Sequence, residues 1–389
     1  NRLPRAELAK QEKQNRTGYT THPASAHWFV NDVENPYSEV QRFDWMRGYH
    51  VGGRSLLWGR QSYRLSELDL EANARDGVAV DWPVRSADLA PWYDYVERFA
   101  GISGSREGLS HLPDGQFLPP MEMNCLERQV KDRIAKSFGG RPMIIGRVAN
   151  LTQPHNGRGG CQFRNRCIRG CPYGAYFSSN AATLPAAYET GKLTLRPFSI
   201  VTELIYDAKT RRATGVRIVD AETNQTSEYY ARVIFLCASA IASTFILLNS
   251  ISDRFPNGFG NDSGELGHNL MDHHFRVGAN GQSDDFGDRF YRGQRPNGIY
   301  IPRFRNLDAK TRQKDYIRGF GYQGSGSREN WARGIKELSF FGADLKADLI
   351  APGPWRFGIG SWGECLPYHE NRMFLNRTLR DKWGLPTVT

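Results

Sequence analysis

Apolar positions along the chain fall into two helical stretches, one β-rich stretch and a long irregular remainder. Over 83–101, Leu89, Trp92, Tyr93, Val96 and Phe99 recur at spacings of three and four, which places them on one helix face. Ser86 or Asp88 is positioned to cap the start. A second amphipathic helix is predicted over 121–138, with Leu126, Val130, Ile134 and Phe138 in register. Residues 177–187 lead into another helix. From 193 onward the pattern predicts strands at 200–206, 213–219 and 227–235, divided by turn residues at 207–210 and 221–224. They read as a meander, whose last strand is apolar enough from Ala231 to Leu236 to enter a buried parallel sheet. A helix over 238–249 follows directly. Residues 255–300 read as loop-rich. Residues 299–363 alternate in places, as at 340–345 and 355–360, and suit a second, antiparallel sheet. Residues 1–45 show no strong period, and no internal repeat or low-complexity tract is evident.

The longest apolar run, 233–242, is far shorter than the ~20 residues a membrane span needs. No leader segment is evident in a chain that opens on charged sequence. At 389 residues the chain is long enough for two lobes, and 39% hydrophobic with 24% charged residues suits a globular protein. Its 51 basic and 41 acidic residues give a net charge of +10. Lys and Arg are scattered rather than clustered among aromatics, which argues against a nucleic-acid interface. A basic surface suits an anionic cofactor or an acidic electron-transfer partner.

Chemistry concentrates at four places. The 52–59 loop, GGRSLLWG, has paired glycines that let backbone approach a ligand closely; alone it reads equally as a tight turn. The 233–242 junction ends an apolar run in small residues before a helix, a geometry that admits a nucleotide against the backbone. The 161–171 loop spells C-x5-C-x3-C with Cys161, Cys167 and Cys171. Three thiolates fit a three-iron cluster; zinc with His155 as a fourth ligand, or free or disulfide-bonded cysteines, are the alternatives. Arg164, Arg166 and Arg169 would offset thiolate charge. The 264–274 segment holds three of nine histidines, but its spacing matches no helix-borne metal site, so a structural or cofactor-edge loop is expected.

In this order the segments resemble the glucose–methanol–choline (GMC) oxidoreductase family. GGRSLLWG is similar to its flavin-contacting loop. The 81–97 (DWPVRSADLAPWYDYVE), 236–250 (LCASAIASTFILLNS), 263–274 (SGELGHNLMDHH) and 363–376 (GECLPYHENRMFLN) segments resemble further family motifs. The cysteine loop resembles that of membrane-linked bacterial sugar dehydrogenases. The resemblance implies an α/β FAD/NAD(P)-binding lobe over 1–275, with the cysteine loop inserted at about 151–180, and an antiparallel-sheet substrate-binding lobe over 276–389. It implies non-covalent FAD contacted by Gly52, Gly53, Ser55, Trp58 and Gly59. Val201 would sit by the adenine through its backbone, and Ala238 and Ser239 would line the cofactor backbone. Leu57 stands where some relatives attach FAD through a histidine, so no covalent link is expected there.

The implied reaction is oxidation of a sugar or alcohol CH–OH group. Electrons would pass through a [3Fe-4S] cluster held by Cys161, Cys167 and Cys171 to a cytochrome c or a quinone, with a small partner subunit. The family's opening phosphate-binding turn and its closing histidine segment are absent, so the catalytic residues are expected C-terminal to Thr389 and this chain alone is expected to be inactive. A periplasmic or membrane-associated location is implied, with a cytoplasmic one possible. Two rival readings are an oxygen-using flavin oxidase with a structural or zinc-binding cysteine loop, and a non-enzymatic cysteine-stapled binding protein. Substrate specificity is expected in the second sheet and in loops such as 282–300.

Overall fold

A computed structural model describes residues 9–16, 25–289, 297–328, 341–350 and 353–389. Its contacts divide the chain into two compact units, each built from separated segments. One takes in residues 1–57, 183–271 and 366–389; the other takes in 58–182 and 272–365. The division expected at 275 is a functional one; of residues 1–275, the stretches 58–182 and 272–275 fall in the second unit, the cysteine loop among them.

The first unit is organised around the expected meander. Strands Ser199–Asp207, Arg212–Asp220 and Thr226–Tyr230 pair antiparallel in sequence order. Helix Ala240–Asn249 is tied to the first strand at its end. Asn249 Nδ2 donates to Thr202 O at 3.0 Å, and Ser250 Oγ accepts from Leu204 N–H at 2.8 Å. Beside it, strands Leu375–Arg380 and Pro386–Val388 form a ribbon. Tyr37, Trp45, Met373 and Val388 are buried together, and Ile241, Ala242, Phe245 and Leu248 of the helix pack on them.

One expectation fails here. Ala231 to Leu236 forms no strand, and Val233 and Phe235 are 66% and 84% exposed. An apolar run becomes a buried strand only with neighbours to pair its backbone and cover its side chains. No strand among the described residues pairs with it.

The second unit carries a five-stranded antiparallel sheet. Its order is Ile144–Ile145, Ile299–Ile301, Gly321–Arg328, Trp355–Glu364, His273–Ser283. One face packs on helix Cys125–Ser137: Met143, Ile299 and Ile301 are buried with Val130, Ile134, Phe357 and Ile359 against them. The helix starts with a capping box, in which Asn124 Oδ1 accepts from Glu127 N–H and Glu127 Oε2 accepts from Asn124 N–H, both at 2.9 Å. Both side chains also clamp a strand: Gly326 N–H donates to Glu127 Oε1 at 2.9 Å, and Asn124 Nδ2 donates to Gly326 O at 2.7 Å. Helix Ser86–Ala100 begins where expected, with Asp88 accepting from Arg85 N–H at 2.9 Å.

Two further expectations change. Strand His273–Ser283 lies within the stretch read as loop; its Gly, Asn and His residues hid its period. The alternation at 340–345 is not a strand, because Gly342–Ile350 is helical. Part of the expected specificity loop, 290–296, lies outside the described residues.

Candidate functional site

In the first unit, residues from three separated segments enclose a recess of about 290 Å³. Val201 lines it from the first meander strand, and Ala238, Ala242 and Phe245 from the junction and helix. Asn35 and Arg47 close one side, and Trp383 and Thr387 another. The walls are largely apolar, yet four buried polar atoms find no hydrogen-bond partner among the described residues: Asn35 Oδ1, Arg47 Nε, Trp383 Nε1 and Thr387 Oγ1. A buried polar group left unpaired costs about 1–3 kcal/mol, and the residues that carry these four atoms all line the recess, whose mixed apolar and polar walls suit a ligand with ring surface and polar edges.

The recess is held rigidly. Arg47 is only 4% exposed; its Nη2 meets Asp32 Oδ1 at 3.1 Å, and its guanidinium lies over the Trp45 ring. Asp32 is fixed in turn by Lys13 N–H at 2.9 Å and Gln14 Nε2 at 2.7 Å. Asp381 accepts from Trp383 N–H and Leu385 N–H, both at 2.9 Å. Burial raises its carboxyl above the ordinary value despite those bonds. Ser239 precedes the helix at a φ of 73°, a left-handed conformation costly for a non-glycine residue. It is adjacent in sequence to the lining residue Ala238 but does not itself line the recess.

The glycine-rich loop spans both units. In the first, Gly52 and Gly53 have φ of 93° and 47°, and Ser55 Oγ donates to Gly52 O at 2.5 Å, making a 3₁₀ turn over Gly53–Leu56. His50, just before it, has its Nε2 buried without a partner among the described residues, and burial followed by the nearby His27 lowers its pKa. In the second unit, Trp58 packs edge-on to Phe177 at 6.2 Å, and its indole Nε1 is also buried without a partner among the described residues. Gly59 follows it at intermediate burial.

Cys161, Cys167 and Cys171 line one recess of the second unit, with Arg164, Arg166 and Tyr173. Asn150 joins them, its buried Oδ1 without a partner among the described residues. The Cys167 thiol is pushed up to about 11, first by burial and then by Cys161 and Cys171, while Arg60 pulls it down. The donors are thiols in a cationic, aromatic pocket, which is the right chemistry for an iron–sulfur group. Among the described residues, however, no three His, Cys, Asp or Glu side chains are arranged to coordinate a metal. His155, the fourth ligand of the zinc alternative, does not line this recess; its Nε2 lies 2.6 Å from Arg98 O.

The histidine-rich segment makes local contacts and leads into a strand. His268 stacks on His369 at 4.0 Å, and its Nδ1 lies 2.7 Å from His369 O. His273 and His274 begin the outer strand of the sheet in the second unit.

A meander with a helix against it and an antiparallel sheet with a helix on one face make this an α/β chain. The chain belongs to the GMC oxidoreductase family, whose profile matches residues 24–275. It is 26% identical over 342 residues to the fructose dehydrogenase large subunit of Gluconobacter japonicus, covering 86% of this chain and 60% of that protein. It is 26% identical over 358 residues to 2-methyl-1,2-propanediol dehydrogenase of Mycolicibacterium austroafricanum, covering 87% and 61%. Against the 6'''-hydroxyparomomycin C oxidase of Streptomyces lividus, identity is 29% over 225 residues, covering 57% and 41%. The chain thus spans about three fifths of the length of the first two relatives. The family is one of flavoproteins, and FAD is the cofactor it implies.

Proposed function

We propose that the protein carrying this chain is a FAD-dependent enzyme that oxidises a CH–OH group of a sugar or alcohol. The observation that carries this is the recess of the first unit, where unpaired polar atoms of Asn35, Arg47, Trp383 and Thr387 ring apolar walls in a GMC-family chain. Val201 and Ala238 present small or backbone surface to the cofactor, and Phe245 and Trp45 exclude water from it. Arg47 supplies a buried positive charge for an anionic part of FAD, oriented by Asp32. Gly52, Gly53, Ser55, Trp58, Gly59 and Ser239 are proposed as further cofactor contacts. FAD, when bound, supplies the hydride acceptor. Relatives named for fructose and for a propanediol support a hydroxylated substrate.

The cysteine loop is proposed to hold a [3Fe-4S] cluster, supported by three thiols and two arginines on one recess. A relative named as a large subunit supports a partner subunit. The electron acceptor is proposed to be a cytochrome or quinone, in a periplasmic or membrane-associated setting. No helix among the described residues is long and apolar enough to cross a membrane.

The test uses the full-length gene product. Bound flavin should be visible in its absorbance, and sugars or alcohols should bleach it and reduce an artificial dye. Protein that binds no flavin and reduces no dye with any such substrate would refute the proposal. Hydrogen peroxide formation without dye reduction would replace the dehydrogenase with the oxidase that one relative's name suggests.

A further inference from the structure

Helix Ser86–Ala100 of the second unit faces the opposite way from what its composition favours. Glu97 and Ala100 are buried, whereas Trp92 and Tyr95 are 65% and 67% exposed and Val96 is more than half exposed. At about 100° per residue, Trp92, Tyr95 and Val96 share one flank of the helix, turned away from Glu97 and Ala100. The cause is polar. Arg64 lies against the helix, with Nε donating to Glu97 Oε1 at 2.8 Å and Nη2 pairing with Asp94 and Glu97. Glu97 Oε2 also accepts from Gln116 N–H at 2.7 Å. This buried network fixes the rotation of the helix and leaves its apolar flank in water.

An exposed aromatic stripe of this kind marks an interface. A helix flank is convex, so it suits a macromolecular face rather than a small molecule, which takes a cleft. Charge indicates which macromolecule. Arg64 occupies Asp94 and Glu97, and Arg85 pairs with Asp81. The charges left beside the stripe are Asp88 towards one end and Arg98 towards the other; Arg98 reaches Asp94 only at 3.5 Å. Two copies of the helix laid antiparallel, about a two-fold axis between Trp92 and Tyr95, set Trp92 against the other copy's Tyr95. At 1.5 Å of rise per residue, Asp88 lies about 8 Å from that axis and Arg98 about 7 Å on its other side. Each Asp88 therefore meets the other copy's Arg98. The face is self-complementary, as an isologous interface requires.

We infer that two copies of the protein associate through this helix flank, antiparallel and related by a two-fold axis. The area is of the right order. At their exposures, Trp92, Tyr95 and Val96 offer about 400 Å² per copy, about half of the ~800 Å² that a standard interface takes from each partner. That is the apolar core of such an interface, with Asp88 and Arg98 on its polar rim. Trp, Tyr and Arg are also the residue types in which interface hot spots are richest. The association does not depend on the reaction proposed above.

The test is sedimentation velocity of the full-length protein over a concentration series. A dimer should be present at about 50 µM, where even an interface of micromolar affinity is filled. Trp92→Glu should weaken association about thirtyfold or more, since a hot-spot residue is lost and counts twice across a two-fold axis. Trp92 is exposed, so a urea midpoint near the parent value verifies that this variant folds. Arg98→Asp should weaken the dimer by setting like charges opposite one another. Adding Asp88→Asn, which keeps an oxygen to accept from Arg85 N–H, should recover part of that loss; a merely structural role for Arg98 predicts no recovery. A parent protein that stays monomeric at the top concentration, or associates only with a different subunit, would overturn the pairing. So would a Trp92→Glu dimer as tight as the parent's.

Discussion

Thr387→Val separates a ligand-facing hydroxyl from a merely structural one, because the two predict opposite signs. Thr387 is 5% exposed and its Oγ1 has no hydrogen-bond partner among the described residues. It sits in strand Pro386–Val388, opposite Asn376. Val keeps the β-branched shape and the strand preference and removes only the hydroxyl. In the flavin-free protein that hydroxyl is a buried, unsatisfied group costing about 1–3 kcal/mol. Its removal should therefore raise apoprotein stability, by about 1 kcal/mol. In the loaded protein the same hydroxyl donates or accepts one hydrogen bond, worth about 0.5–1.5 kcal/mol. Its loss should weaken FAD about two- to tenfold. The assay is a pair of measurements on the full-length protein: the urea midpoint after removal of flavin, and the FAD dissociation constant from flavin fluorescence. Thr387→Ala is a poor substitute, since its cavity lowers stability in both states. A destabilised apoprotein with unchanged FAD affinity would show that Thr387 serves packing and that the recess is not the cofactor's.

Gly101→Ala should cost about 2 kcal/mol or more, read as a lowered urea midpoint. Gly101 has φ of +74°, and its Cβ would lie 2.3 Å from buried Leu151 Cδ2; a parent-like midpoint would mean the turn relaxes freely. Burial lowers the His50 pKa, so the folded state keeps it neutral where the unfolded state takes up a proton. Its contribution to stability is complete above about 6.5 and is lost as pH falls from there through the lowered folded value. His50→Gln should flatten that part of the stability–pH curve, and an identical slope in the variant would assign it to another group. Cys167→Ser should abolish bound iron and acid-labile sulfide while FAD stays bound; parent protein free of iron after anaerobic purification would remove the cluster from the proposal.

The fold was legible wherever one segment carries its own periodicity. Helices Ser86–Ala100 and Cys125–Ser137 and the meander form where the periodicity placed them, and Val130 and Ile134 pack as expected, but Trp92, Val96 and Phe138 of the expected faces are exposed and Glu97 and Ala100 are buried instead. His273–Ser283 was not legible, because a strand studded with Gly and Asn takes its conformation from Trp355–Glu364 beside it. The run Ala231 to Leu236 erred the other way. Its composition states a preference for burial that the described neighbours do not meet.

The sites divide along the same line. Cys161, Cys167 and Cys171 fall within one short loop, so their spacing alone identified thiol chemistry; the structure adds the surrounding charge and withholds a coordinating geometry. Val201 and Ala238 entered through the resemblance, and both line the recess of the first unit. Asn35, Arg47, Trp383 and Thr387 carried no local signal, because what distinguishes them is an unpaired atom in a shared space. The five-stranded sheet is the extreme case. Its register is set by apolar residues on the helix-facing side, such as Ile299, Phe357 and Ile359. A one-residue slip of Trp355–Glu364 would turn Arg356 into the core and carry Phe357 and Ile359 out of it. Hence the packing that fixes the core also selects which groups this sheet presents on its other side.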